Sequence, residues 1–205
     1  MNLAQRERQA LVQAMDEAGP DAPTLCGEWT TRDLAAHLIV RERRPDAAPG
    51  ILLKPFAPYL DRVQSKVAQR PFAQLLDEVR SGPPFLLRPV DGLMNTTEMF
   101  VHHEDVRRGA PGWEPRTLSA ADETQLWKVL QGLARMAYRK SPVTVALSTP
   151  DGRRTIAHKA GDRTVVLVGP PSELLLHAFG RNEVRLEATG APDDVALVHA
   201  LDRSV

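Results

Sequence analysis

The sequence has little of several features that would point to one class of protein, and cysteine is the first of them. Cys26 is the single cysteine among 205 residues. One cysteine excludes an intramolecular disulfide and a zinc site made of cysteines alone. A chain with a single cysteine fits a reducing compartment, where disulfides are rare.

Net charge and long apolar runs are absent as well. Lysine plus arginine and aspartate plus glutamate each number 26, so net charge favours neither nucleic acid nor an anionic membrane as a partner. No window holds the roughly 18 consecutive apolar residues of a membrane span, and the N-terminus lacks the apolar segment of a signal peptide. We therefore expect a cytoplasmic protein that binds neither nucleic acid nor membrane.

What is present is an ordinary globular composition, with 42% hydrophobic and 25% charged residues. Helical periodicity dominates up to about residue 140, interrupted by Pro-rich connections at 46–58 and 81–92. After Ser141 two β-rich runs flank Asp151-Gly152, a strong hairpin signal, and further short strands and helices follow. The sequence predicts a mainly helical domain over 1–140 and a small α+β domain over 141–205.

The segment "TEMFVHHEDVRR", from Thr97 to Arg108, carries the first chemical hypothesis. Residues of a helix advance by about 100° each, so Glu98 and His102 share one face, with Asp105 within about 20° of Glu98. His103 points about 140° away from Glu98. Spacing alone therefore selects Glu98 and His102 as a pair that could chelate one ion, and makes Asp105 a residue that could orient a ligand.

A third ligand would come from another helix, and His37 in "DLAAHLIVRE" is the candidate. Two histidines, a glutamate and one open position make up a common catalytic zinc site. Plainer alternatives remain at this point. Glu98 could be a first-turn carboxylate, His102 to Asp105 could form a solvated face, and His37 could be a hydrogen-bonded core histidine.

The stretches "PTLCGEWTTRDLAAHLIVRERRPDAAPG" and "NTTEMFVHHEDVRR" resemble the actinobacterial metal-binding proteins of the mycothiol-dependent maleylpyruvate isomerase family. The resemblance implies a DinB-like four-helix bundle that binds a divalent ion, typically zinc, through His37, Glu98 and His102. It also implies a C-terminal α+β domain like the sterol-carrier domains, in which Arg181 of "SELLLHAFGR" contributes to the active site. The doubled histidine and the "RERRPDAAPG" stretch mark a subgroup distinct from the isomerase proper.

Three further residues are candidates around such an ion. Arg41 and Arg44 lie one and two turns after His37, where they could bind a carboxylate substrate or an anionic cofactor, or simply end the helix in solvent. Cys26 could approach the metal or a thiol, although a small buried apolar role is the simpler interpretation.

These residues lead to three functional hypotheses. The first is a zinc-dependent enzyme that activates mycothiol for isomerisation or thiol transfer on a small electrophilic substrate, acting as a monomer or homodimer. The second is a metal-dependent hydrolase with Asp105 or Glu104 as general base. The third is a non-catalytic metal- or ligand-binding protein, for which a closed site with His103 or Cys26 as fourth ligand would argue.

Overall fold

The computed structural model of the chain describes residues 1–47, 53–83 and 92–203. The middle parts of both predicted Pro-rich connections lie outside the described residues. Contacts divide the chain into two compact units, Met1–Trp113 and Glu114–Val205. No helix in the described ranges is both long enough and apolar enough to cross a membrane.

The first unit is helical throughout its described regular structure, apart from one isolated bridge between Pro23 and Thr30. A short 3-10 turn at Lys54–Phe56 precedes the third helix. The helices in chain order are α1 (Leu3–Ala18), α2 (Thr31–Arg43), α3 (Ala57–Ala68), α4 (Phe72–Ser81) and α5 (Gly92–Arg107).

Helix α2 begins with a capping box formed by Thr30 and Asp33. The Thr30 side chain accepts a hydrogen bond from the Asp33 backbone, and the Asp33 carboxylate accepts one from the Thr30 backbone at 3.0 Å. These bonds satisfy two amide donors that a helix start would otherwise leave open. The cap fixes where α2 starts, and so it fixes the position of His37 two turns later.

The core of the first unit is an apolar cluster to which α1, α2, α4 and α5 all contribute. Burying the apolar side chains of these helices supplies most of the stability of a helical bundle. The buried members are Leu11, Val12, Met15, Leu34, Ala35, Leu38, Ile39, Leu75, Leu76, Val79, Met99 and Val106.

The second unit combines helices with one sheet. Its strands run in the order β2-β1-β3-β4, with β1 and β3 parallel and the other two pairs antiparallel. The hairpin predicted around Asp151-Gly152 joins β1 to β2. The elements in chain order are α6 (Ala120–Ala137), β1 (Thr144–Ser148), β2 (Arg154–His158), β3 (Thr164–Val168), α7 (Pro171–Ala178), β4 (Glu187–Thr189) and α8 (Pro192–His199).

The predicted fold class, a helical N-terminal part followed by a small α+β part, is confirmed. The division of the chain differs from the boundary expected near residue 140, because α6 belongs with the second unit. Helix α6 packs against α7 and β2. Its Glu123 carboxylate accepts hydrogen bonds from the Ser172 backbone at 2.9 Å and the Ser172 hydroxyl at 2.8 Å, and so caps the start of α7.

Candidate metal centre

Three side chains from α2 and α5 converge in the first unit. His37, Glu98 and His102 each offer a donor atom, and these atoms all lie within 4.8 Å of one another. Glu98 Oε1 is 3.2 Å from His102 Nε2 and 3.7 Å from His37 Nε2. The structure therefore brings together the three residues that the helical spacing and the family resemblance had selected.

The two distances from Glu98 to the histidines fit a metal ion. Two ligands bound about 2.0–2.1 Å from a tetrahedral zinc ion lie about 3.3–3.4 Å apart. The two Glu98 distances, 3.2 and 3.7 Å, fall on either side of that value. Two imidazoles and a carboxylate are also the donor set of open zinc sites, so the residues present fit the group that the family implies.

Glu98 is negatively charged under ordinary conditions. Burial alone would raise its pKa, but hydrogen bonds with His102 and His37 and the charge of Arg41 outweigh burial and hold that pKa well below the usual range. A permanently ionised carboxylate between two imidazoles makes this part of the bundle attractive to a cation.

His102 is held from both sides of its ring. Its Nδ1 lies 2.9 Å from Asp105 Oδ2, and the Asp105 side chain is fully buried. Burial would lower the pKa of His102, but Asp105, Cys26 and Glu98 raise it well above the ordinary value. Asp105 thus fixes the orientation of the ring, as its position on the same helical face predicts.

The neighbouring His103 has a different environment. Its Nδ1 lies 2.8 Å from Glu7 Oε2 on α1, and both side chains are almost completely buried. His103 therefore faces α1 while His102 faces α2, which agrees with the rotation expected for adjacent helical residues. No spacing pattern in the sequence links His103 to this partner, which lies 96 residues away.

The three arginines considered from the sequence lie in different places. Arg41 Nε is 3.2 Å from Glu98 Oε1, and Arg41 Nη1 donates to Asn95 at 3.1 Å. Arg44 follows the last residue of α2 with non-helical backbone angles, and it pairs with Asp46 at 2.7 Å. Arg181 lies in the second unit, where its guanidinium donates to the Phe179 carbonyl. Arg41 is thus the arginine in direct contact with the cluster.

The carboxylates considered as general bases are already engaged. Glu104 is buried and receives hydrogen bonds from Arg107 at 3.0 Å and from Arg108 at 2.6 Å. Asp105 receives hydrogen bonds from His102 and from the Cys26 thiol. Both carboxylates serve structural contacts, so the geometry gives the hydrolytic hypothesis no specific support.

Two contacts at the cluster were not expected from the sequence. The Trp29 ring lies 4.9 Å from the His37 ring, so it limits the orientations that His37 can adopt. The Cys26 sulfur lies 3.0 Å from Asp105 Oδ2, across 79 residues of sequence. A tryptophan just before a capped helix start is a signal that could have suggested the first contact, whereas spacing carries no signal for the second.

Comparison with known proteins agrees with this geometry. Residues 2–91 match the family model described as the mycothiol maleylpyruvate isomerase N-terminal domain, which confirms the predicted resemblance. The matched segment contains His37 and ends before Glu98 and His102. No curated protein and no solved structure matches the chain.

Proposed function

Because residues 2–91 match the family model of the mycothiol maleylpyruvate isomerase N-terminal domain, we propose that the protein is a zinc-dependent enzyme that activates mycothiol. The observation that carries the proposal is the convergence of His37, Glu98 and His102 within 4.8 Å. These three residues would hold the ion. A bound divalent cation supplies a positive charge that favours the thiolate form of a thiol near neutral pH.

The chain's own residues prepare the site for this chemistry. Asp105 accepts a hydrogen bond from His102 Nδ1 and so leaves Nε2 directed toward Glu98 and His37. Trp29 lies beside His37 and restricts its ring. Because the rings of His37 and His102 are already restricted, they would lose little conformational freedom on binding an ion. The bound ion would therefore be held in a fixed geometry.

Arg41 is the residue best placed to bind a negatively charged substrate. Its guanidinium contacts Glu98 and Asn95, and its side chain is 19% exposed, so it borders both the cluster and solvent. A planar guanidinium recognises a carboxylate through paired hydrogen bonds.

The reaction would be addition of the thiol to an electrophilic carbon, followed by its loss in an isomerisation or its retention in a thiol transfer.

Arg44 remains a predicted anion-binding residue, and Arg181 remains a predicted catalytic residue. Arg44 is already paired with Asp46 and with Tyr59, whose hydroxyl lies 3.2 Å from Arg44 Nη2. The variants Arg41→Gln, Arg44→Gln and Arg181→Gln therefore form a graded comparison. We expect binding of a small dicarboxylate to metal-loaded protein to fall most in Arg41→Gln, measured by calorimetry.

The metal part of the proposal is tested by elemental analysis of the purified protein. Wild type is expected to hold about one zinc ion per chain, and His37→Ala and His102→Ala are expected to lose it. Stoichiometric metal in both variants would overturn the assigned ligands.

The thiol part is tested by titrating mycothiol into metal-loaded and metal-stripped protein. We expect binding that depends on the metal. A metal-loaded protein that does not bind mycothiol at millimolar concentration would leave a metal-binding protein with a different chemistry.

A further inference from the structure

A second group of donor atoms lies on the other side of the His102 ring. Cys26 Sγ is 3.7 Å from His102 Nδ1 and 3.0 Å from Asp105 Oδ2, and Asp105 Oδ2 is 2.9 Å from His102 Nδ1. Cysteine, histidine and aspartate can together hold a metal. This group is therefore either a second metal site or a set of direct hydrogen bonds.

The distances decide between them. A tetrahedral zinc ion would hold a thiolate sulfur and a carboxylate oxygen about 3.6 Å apart, and an imidazole nitrogen and a carboxylate oxygen about 3.3 Å apart. Both observed distances to Asp105 Oδ2, 3.0 and 2.9 Å, are shorter by several tenths of an ångström. Both pairs are in direct hydrogen-bond contact with one carboxylate oxygen, with the thiol and the imidazole as donors.

The segment that carries Cys26 is fixed to α5 by contacts outside this group. The Leu25 amide donates to the Asp105 carbonyl of α5 at 3.1 Å, and within the segment the Cys26 amide donates to the Thr24 hydroxyl at 3.2 Å. Gly109 permits this approach, because a Cβ there would lie 2.9 Å from Thr24 Cα and 2.8 Å from the Pro23 carbonyl carbon. The backbone therefore holds the thiol against Asp105.

We propose that Cys26 is a positioning residue, whose thiol proton fixes the Asp105 carboxylate so that Asp105 holds His102 Nδ1–H and leaves His102 Nε2 free to bind a metal. The proposal rests on the proposed function, in which His102 is a ligand. It places Cys26 outside the coordination sphere and outside the thiol chemistry. Residues in such outer positions typically change metal affinity by about 10- to 100-fold when they are removed.

The hydrogen bond itself can be tested without metal. Cys26 is the single cysteine, so the S–H stretching band in a Raman spectrum belongs to it alone. We expect this band at lower frequency than that of a solvated thiol, and a return toward the solvated value in Asp105→Ala. A band that stays unchanged in Asp105→Ala, or no S–H band at all, would overturn the proposal.

The effect on the metal is tested by competition with a chromophoric chelator in wild type, Cys26→Ala and Cys26→Ser. Cys26→Ala is expected to weaken zinc binding roughly 10-fold, while Cys26→Ser, which keeps an O–H donor, is expected to remain within about threefold of wild type. Equal weakening in both variants would show that side-chain volume matters rather than the donated proton. Unchanged affinity in both would remove any positioning role.

Cobalt substitution separates this proposal from the assignment of the metal site. Cobalt-loaded wild type is expected to show no thiolate-to-cobalt charge-transfer band. A band that disappears in Cys26→Ser would make Cys26 a ligand and overturn the proposal. A wild-type protein that binds neither zinc nor cobalt would instead contradict the proposed function, and the Raman result would still decide whether the hydrogen bond exists.

Discussion

The adjacent residues His102 and His103 should differ in their effect on zinc binding. His102→Ala removes a proposed metal ligand, so we expect loss of bound zinc, together with the loss of stability that follows from losing its contacts with Asp105 and Glu98. His103→Ala removes a contact with α1, so we expect a less stable protein that still binds one zinc ion.

The size of the His103 effect follows from its environment. Its hydrogen bond to Glu7 is 2.8 Å long, and the two side chains are 6% and 5% exposed. A buried hydrogen bond to a charged group contributes about 1.5–3 kcal/mol, and truncating a buried ring adds a packing loss. We therefore expect His103→Ala to lower the free energy of unfolding by about 3 kcal/mol, which corresponds to a fall of roughly 10 °C in Tm.

Urea unfolding of metal-free protein and metal analysis of folded protein measure the two effects separately. A double-mutant cycle of His103→Ala with Glu7→Gln isolates the contact, and we expect a coupling energy above about 1 kcal/mol. Loss of zinc from His103→Ala at a temperature where the variant is folded would refute the assignment of the two faces. A coupling energy near zero would refute the stabilising role of the Glu7 contact.

Three further predictions concern stability. Burial, with the charges of Arg203 and His199, lowers the pKa of His177 from 6.5 to about 3. Below pH 6.5 the unfolded chain binds a proton that folded His177 does not. This residue alone should therefore remove about 1.4 kcal/mol of stability per pH unit down to about pH 3, and His177→Asn should remove that part of the pH dependence in urea titrations. Glu123→Gln should destabilise the second unit by about 1 kcal/mol, seen in its thermal transition, since it weakens the cap on α7. Zinc at 100 times its Kd should stabilise wild type against thermal unfolding by about 2.7 kcal/mol, and zinc should not stabilise His102→Ala.

Local spacing predicted what lies within one helix. The shared face of Glu98 and His102 depends on residues four positions apart, where helical geometry fixes the contact. The hairpin at Asp151-Gly152 is local in the same sense. Such features need no knowledge of tertiary packing.

Residue spacing could not predict contacts between segments that are far apart in the sequence. The partners of His103 and Cys26 are 96 and 79 residues away, and no periodic pattern links them. The placement of Arg44 two helical turns after His37 assumed a helix that continues, whereas α2 ends at Arg43 and the chain turns. The division of the chain depends on packing too, since α6 could be assigned to its unit only from its neighbours.

The position of α5 sets a lower limit on any fragment used to study this protein. The segment that matches the family model ends at residue 91, and α5 begins at Gly92. A fragment cut at residue 91 would carry His37 without Glu98 and His102, and would also expose the apolar surface of α1 that α5 covers. The segment Met1–Trp113 contains all three proposed ligands and follows the division of the chain into units, so it is the fragment to express when the proposed site is studied.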